Sequence, residues 1–191
     1  MSVPRLIPAD TVCVSERPAV IEPMQQTDVP LVAAIERACF TTAWEPSAYY
    51  NELNNPAAVY HVARCCGSVV GFAGMWIAID EAHFTLVCVV KGHRGRGIGK
   101  RLVISLMDEA VERGVTRATL EVREHNSVAR HLYERLGFQE AGRRPGYYTD
   151  TNETAVIMWA EDIDSPSSCK LRSDAVVDLS QREGCADETY R

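Results

Sequence analysis

The sequence predicts a mixed α/β (α+β) domain: a central sheet of six to seven strands with helices on both faces. Three observations carry that expectation. Apolar segments of strand period alternate with segments of helical period from Ala19 to Ala160. One apolar strand ends in Val87-Cys88-Val89-Val90 and runs, through a loop holding Gly92, Gly95, Gly97 and Gly99, straight into an amphipathic helix. The strands on either side of that helix, Ala82 to Val90 and Arg117 to Val122, need a long crossover to pair in parallel, and the helix supplies it.

Residues 1–18 contain three prolines and no periodicity, so they read as a flexible arm. Ala19 to Met24 is a first strand. Thr27 to Cys39 sets Val29, Leu31, Val32, Ile35 and Cys39 largely on one helical face. Phe40 to Ser47 is a loop into a short helix ending at Leu53, with Pro46 suited to its first turn. Phe40 and Trp44 either fill the core at this elbow or form the wall of a substrate cleft.

Val59 to Cys65 and Ser68 to Ile79 read as a hairpin turning at Cys66-Gly67. The glycine loop opens a helix whose apolar positions are Ile98, Leu102, Val103, Leu106, Ala110 and Val111. Asn126 to Gly137 is a second long helical segment with an Asn cap and a terminal Gly. Phe138 to Arg143 and Thr154 to Trp159 close the sheet, joined by a loop holding Pro145, Gly146, Tyr147 and Tyr148. Residues 161–191 carry eight acidic and four basic residues with one short apolar cluster, Ala175-Val176-Val177, and read as a disordered acidic tail. The expected organisation is an arm (1–18), one domain (19–160) and a tail (161–191).

At 191 residues the chain suits one domain with a real core, and 46% hydrophobic with 24% charged residues is a globular composition. A net charge of −6 argues against a nucleic-acid surface. No run approaches the roughly 20 apolar residues of a membrane span. The seven cysteines are odd in number and lack a C-x-x-C pair, and several lie in apolar runs where a reduced thiol packs as a small hydrophobe. These features point to the cytoplasm. His93, His125 and His131 show no metal-ligand spacing, and no metal is expected.

Glycines let the backbone take positive φ and let a ligand approach with no Cβ in the way. The first N–H groups of the helix that follows lack intrahelical partners and sit at its positive end, so the loop suits a phosphate. Two familiar phosphate loops fail against these residues. A dinucleotide fingerprint starting at Gly95 or Gly97 needs a small residue where Lys100 or Leu102 stands, and a P-loop from Gly92 needs Lys where Ile98 stands. Arg94-x-x-Gly97-x-Gly99 instead resembles the pyrophosphate loop of the GNAT acetyltransferase superfamily.

Further residues sharpen that resemblance: Leu120-Glu121-Val122-Arg123-Glu124-His125-Asn126, Leu132-Tyr133-Glu134-Arg135-Leu136-Gly137-Phe138 and Arg143-Arg144-Pro145-Gly146-Tyr147-Tyr148. Together they look like the RimI-type branch, the protein N-terminal acetyltransferases that modify ribosomal proteins, over roughly Ala19 to Ala160. The resemblance implies a GNAT fold with a splay between the two central parallel strands. It implies acetyl-coenzyme A as co-substrate, held by Val87, Cys88, Val89, Arg94, Gly95, Arg96, Gly97, Ile98, Gly99, Lys100 and Asn126. It implies Glu121 as general base, with a pKa raised by its apolar strand end, and Tyr133 as general acid toward the departing thiolate. A peptide cleft would be walled by Phe40, Trp44, Tyr147 and Tyr148, and the partner would be a protein N-terminus, with no nucleic acid and no membrane.

Each role has a plainer counterpart. Glu121 is also placed to pair with Arg123 or Arg117, Tyr133 to fill the core, and Asn126 simply to cap its helix. Lys91 and His93 depart from the family, which commonly has a proline and an aromatic there. A GNAT acting on a small amine or a lysine side chain, and a coenzyme A-binding sensor without catalysis, are the competing functions.

Overall fold

The structure is a computed structural model that describes residues 18–185, with side chains through Leu179. All but Pro18 of the expected N-terminal arm lies outside the described residues. Seven strands follow in chain order: β1 (Val20–Pro23), β2 (Ala58–Cys65), β3 (Ser68–Ala78), β4 (Glu81–Val89), β5 (Arg117–Arg123), β6 (Gln139–Tyr148) and β7 (Glu153–Ala160). They form one sheet of order β1-β2-β3-β4-β5-β7-β6 in which β4 and β5 are the parallel pair. The helices are α1 (Val29–Cys39), α2 (Pro46–Leu53), α3 (Ile98–Glu112), α4 (Ser127–Glu134) and α5 (Pro166–Cys185).

Strand alternation sends neighbouring residues to opposite faces and builds two cores. Val62 and Phe72 join Val29, Val32 and Tyr49 under α1 and α2. Ala63 and Ala73 face the other way, into a cluster with Leu102, Leu106 and Met107 of α3 and with Leu120, Phe138 and Met158. Phe72, Leu102 and Leu106 are fully buried, and each such side chain stabilises the fold by about 1.5–3 kcal/mol relative to exposure.

The parallel pairing is short. Glu81 to Phe84 pair with Arg117 to Leu120, and beyond Phe84 the two strands part. The cause lies on the other edge of β4: Gly74 pairs with Leu86 and Met75 with Phe84, leaving Thr85 as an extra residue. Such a bulge bends its strand and raises its local twist. The result is the expected splay, opening where the glycine loop begins.

Three expectations need correction. Pro145 to Tyr148 belong to β6 rather than to a loop, but the register jumps between Arg144 and Tyr148. Proline lacks a ladder donor, so this irregularity is tolerated because β6 is an edge strand. Cys39 and Cys88, expected as reduced thiols, are joined as a disulfide between α1 and β4.

The segment expected as a disordered tail forms α5. Ser165 Oγ accepts from Ser168 N at 3.3 Å and Pro166 opens the first turn, so the helix starts on ordinary chemistry. Its anchor is Arg172, whose side chain is 3% exposed and whose guanidinium donates to Asp108 (2.7 Å), the Ile163 carbonyl (2.8 Å) and Ser168 Oγ (3.0 Å). Ile163 is itself fully buried. Arg172→Met is expected to remove charge-assisted bonds from a buried site and to cost about 1–3 kcal/mol. At about 2–4 °C per kcal/mol for a chain of this size, thermal unfolding checks it: an unshifted midpoint would mean that α5 does not contribute to stability.

Candidate active site

The splay leaves the β5-facing backbone groups of Leu86 to Val89 without a ladder partner in β5. Val87 and Val89 turn their side chains toward the α3 core, whereas Cys88 is buried on the α1 face in its disulfide. Only the backbone of Cys88 therefore belongs to the cleft. Arg94 folds back, its Nε donating to the Val89 carbonyl at 2.9 Å.

A 3-10 turn at Lys91–His93 precedes Gly95 and Gly97, which take φ of +79° and +73°. Gly97 is the N-cap of α3 and offers no side-chain cap, so the N–H groups of Ile98, Gly99 and Lys100 point into the cradle without intrahelical partners. His93 is buried, and burial together with the Arg96 charge lowers its pKa, so it fills its position as a neutral ring. Lys100 is also largely buried. On α4, the Asn126 side chain accepts from Ala129 N at 3.1 Å, the cap expected for it.

Glu121 stands one residue beyond the last position of β5 that pairs with β4, at the mouth of the splay. Its Oε2 lies 2.6 Å from His83 Nε2 and its Oε1 3.9 Å from an Arg144 guanidinium nitrogen. The hydrogen bond to His83, with the positive charges of His83 and Arg144, outweighs burial and lowers the Glu121 pKa; the same bond raises that of His83. The expected upward shift of Glu121 is thereby reversed. A strand-end glutamate looked apolar in sequence because its histidine lies 38 residues away. Neither arginine once considered for it is used: Arg117 pairs with Glu81 (3.6 Å), and Arg123 with Asp150 (2.9 Å) and Glu153 (3.3 Å).

Tyr133 on α4 packs edge-on against Phe138, with ring centroids 5.8 Å apart. Burial raises its pKa, so its phenol keeps its proton throughout the physiological range. Tyr147 and Tyr148 meet edge to face at 5.2 Å, each under a guanidinium: Arg144 at 5.0 Å from the Tyr147 ring centre and Arg123 at 4.0 Å from that of Tyr148.

Phe40 is partly exposed at the end of α1. Trp44 leans on Tyr49 of α2 at 5.6 Å and donates its backbone N–H to Glu36 (3.0 Å), so it serves the packing elbow and lines a surface cavity with Glu45, Ala48, Asn51 and Glu52. The α1–α2 loop meets the β6–β7 turn through Thr41, whose hydroxyl donates to Asp150 at 2.7 Å. A chain Thr41–Asp150–Arg123–Tyr148 thus ties the two walls together. His83, Asp150 and Thr41 were missed in sequence, Arg144 entered only as part of a motif, and Arg123 only as a partner for Glu121. The alternation of β4 and β5 offered a signal for His83 alone, once the parallel register is known.

Residues 29–138 match the model of the Acetyltransferase (GNAT) family. A Bacillus subtilis (strain 168) protein is 37% identical over 142 residues, covering 74% of this chain and 94% of the relative. The N-alpha-acetyltransferase RimI of Mycobacterium tuberculosis is 35% identical over 147 residues, covering 74% and 91%. Among solved structures, the ribosomal-protein-S18-alanine N-acetyltransferase from Escherichia coli superposes with a TM-score of 0.69 at 32% identity, covering 75% of this chain and 94% of that one. With its splayed parallel pair, glycine cradle and matching residues, this chain belongs to the GNAT acetyltransferase family.

Proposed function

We propose that the chain transfers acetyl from acetyl-coenzyme A to the N-terminal α-amine of a protein, a ribosomal protein with a small first residue such as Ala or Ser. The observation that carries this is Glu121, set at the mouth of the splay 2.6 Å from His83. The names of the relatives add the substrate class, since those proteins are N-terminal or ribosomal-protein-alanine acetyltransferases.

The cradle fits the coenzyme's pyrophosphate: the first N–H groups of α3 have no intrahelical acceptor, and glycines stand at the two positive-φ positions. Arg94, Gly95, Arg96, Gly97, Ile98, Gly99 and Lys100 would hold it, with Asn126 beside them and the backbone of Val87 to Val89 along the pantetheine. When bound, the coenzyme supplies the acetyl thioester. A backbone N–H near Val89 polarises the carbonyl by oxyanion-hole logic.

Glu121 accepts the proton shed by the incoming ammonium, directly or through water. The amine nitrogen then bonds to the carbonyl carbon, the carbon–sulfur bond breaks, Tyr133 gives its phenolic proton to the sulfur, and the second proton of the nitrogen leaves through water to restore the Tyr133 phenol. His83 and Arg144 orient the Glu121 carboxylate and hold it ionised. Phe40, Tyr147 and Tyr148 wall the entry, with Trp44 bracing the α1–α2 loop behind it. The catalytic body is residues 19–160, to which α5 is an appendage. A substrate of this class places the enzyme in the cytoplasm; among the described residues no helix is long and apolar enough to cross a membrane.

The test is coenzyme A release with Ala- or Ser-starting peptides set against a panel of polyamines and amino sugars. Turnover on the peptides at least tenfold above the small amines is expected. The reverse ranking would move the site to the small-amine class, and release with neither would favour the sensor.

A further inference from the structure

Cys39 and Cys88 sit where three parts of the site meet. Cys39 is the last residue of α1, Phe40 follows it at the cleft wall, and Thr41 then bonds Asp150 of the opposite wall at 2.7 Å. Cys88 lies in β4 between Val87 and Val89, at the edge of the splay. Arg94 of the glycine loop reaches both strand and helix, with Nε donating to the Val89 carbonyl at 2.9 Å and Nη2 3.7 Å from Cys39 Sγ.

The disulfide fastens the wall. Beyond the buried Glu36, residues Arg37, Ala38, Phe40, Thr41 and Thr42 are exposed, and within 37–42 Cys39 alone packs against the core under α1. The Thr41–Asp150 bond that also holds this stretch is open to solvent. With the disulfide broken, Val29, Val32 and Ile35 still keep α1 in the core, whereas its last turn and Phe40 gain freedom.

We propose that Cys39 and Cys88 are a redox latch: their disulfide sets the peptide-cleft wall that begins at Phe40, and a low-molecular-weight thiol opens it by exchange at the Cys39 sulfur. The inference rests on the peptide-cleft reading of that wall. In the cytoplasm a disulfide is characteristically transient, serving catalysis or redox sensing, and the proposed acetyl transfer uses neither sulfur. The two sulfurs also differ in access, since Cys39 is half-buried beside the Arg94 guanidinium and Cys88 is 3% exposed. That positive charge draws an incoming thiolate to Cys39. The thiolate bonds to Cys39 Sγ, the sulfur–sulfur bond breaks, and Cys88 leaves as a thiolate. A second small thiolate attacks the small-molecule sulfur of the mixed disulfide, releasing the small disulfide and the Cys39 thiolate. Two small thiols are oxidised and one protein disulfide is reduced, and the protons shed by the small thiols return to the two cysteines. A low-molecular-weight disulfide runs the sequence backwards and closes the latch.

Peptide kinetics decide it with two proteins, the unaltered chain and Cys39→Ser, each assayed in reduced glutathione and in glutathione disulfide. Alkylation followed by peptide mapping reports the state of the bond. The latch predicts that reduction of the unaltered chain raises the KM for an Ala-starting peptide about three- to tenfold, the scale of re-ordering a wall side chain on binding. Turnover at saturation stays the same, and reoxidation restores the KM. Cys39→Ser shows the raised KM in both buffers, which separates this bond from the disulfide of Cys66. Should Cys39→Ser fail to fold, the cycled unaltered chain with its mapped Cys39 and Cys88 thiols carries the test alone. Three results overturn the latch while leaving the acetyltransferase reading standing: a KM indifferent to the state of the bond, a shift that persists in Cys39→Ser, or a bond that glutathione leaves intact in the folded protein. No turnover of peptide in either buffer overturns the peptide cleft and the latch with it.

Discussion

Tyr133→Phe is expected to bind acetyl-coenzyme A as tightly as the unaltered chain and to turn over about 10²–10⁴ times more slowly, the scale of one lost general acid. The substitution removes a single oxygen. The ring keeps its edge-on contact with Phe138 at 5.8 Å and its place against the core cluster, so the fold has no reason to change. What disappears is a proton that burial keeps on the phenol, where it is available to the departing thiolate. Stopped assays of coenzyme A release, paired with calorimetry, separate the two effects. Full activity would return Tyr133 to a packing role.

Glu121→Gln is the second large effect, also about 10²–10⁴ in kcat/KM. Glutamine can still accept the His83 hydrogen bond but cannot take a proton from the amine. The pair also sets the pH profile. Glu121 and His83 titrate as a unit: as pH rises, the last proton to leave is held mostly on His83 and leaves above the ordinary imidazole value, because the bond to Glu121 raises it. Below that point a charged His83 pins the carboxylate and weakens it as a base. The acidic limb of kcat/KM should therefore lie at or above about 6.5, and His83→Ala should move it down toward the carboxylate range. The stability sign is consistent. The depressed Glu121 pKa contributes stability that is lost as pH falls through it, and the raised His83 pKa contributes stability that is lost as pH rises through it. A limb unmoved by His83→Ala would remove the pair from the mechanism.

Local patterns carried most of the fold. The apolar face of α3, the Asn126 cap and the hairpin at Cys66-Gly67 each rest on residues close in sequence, and the structure places them as expected. The splay came only from resemblance, because its cause is one extra residue, Thr85, which shows itself only when two strands are laid side by side. His83 and Glu121 meet for the same reason, through the parallel register of β4 and β5. The disulfide joins residues 49 apart, beyond any local pattern. α5 was misread because its polarity is spread around the helix and its anchor is an arginine. A buried guanidinium with four partners looks, in sequence, like any surface charge. The Ser165-Pro166 start was legible and would have marked it.

The central claim is that the splay acetylates an α-amine. A peptide α-amine titrates near 7.7–8.0 and a lysine near 10.4, so near neutral pH the α-amine offers roughly a few hundredfold more neutral nucleophile. A base as weak as a hydrogen-bonded Glu121 suffices for the first and not for the second. One peptide beginning with Ala and carrying a single internal lysine puts both amines before the enzyme at once, and fragmentation mass spectrometry locates the acetyl group. Acetyl on the N-terminal alanine, with the lysine unmodified until that amine is consumed or blocked, is the predicted result; acetyl-lysine formed at a comparable rate would contradict it.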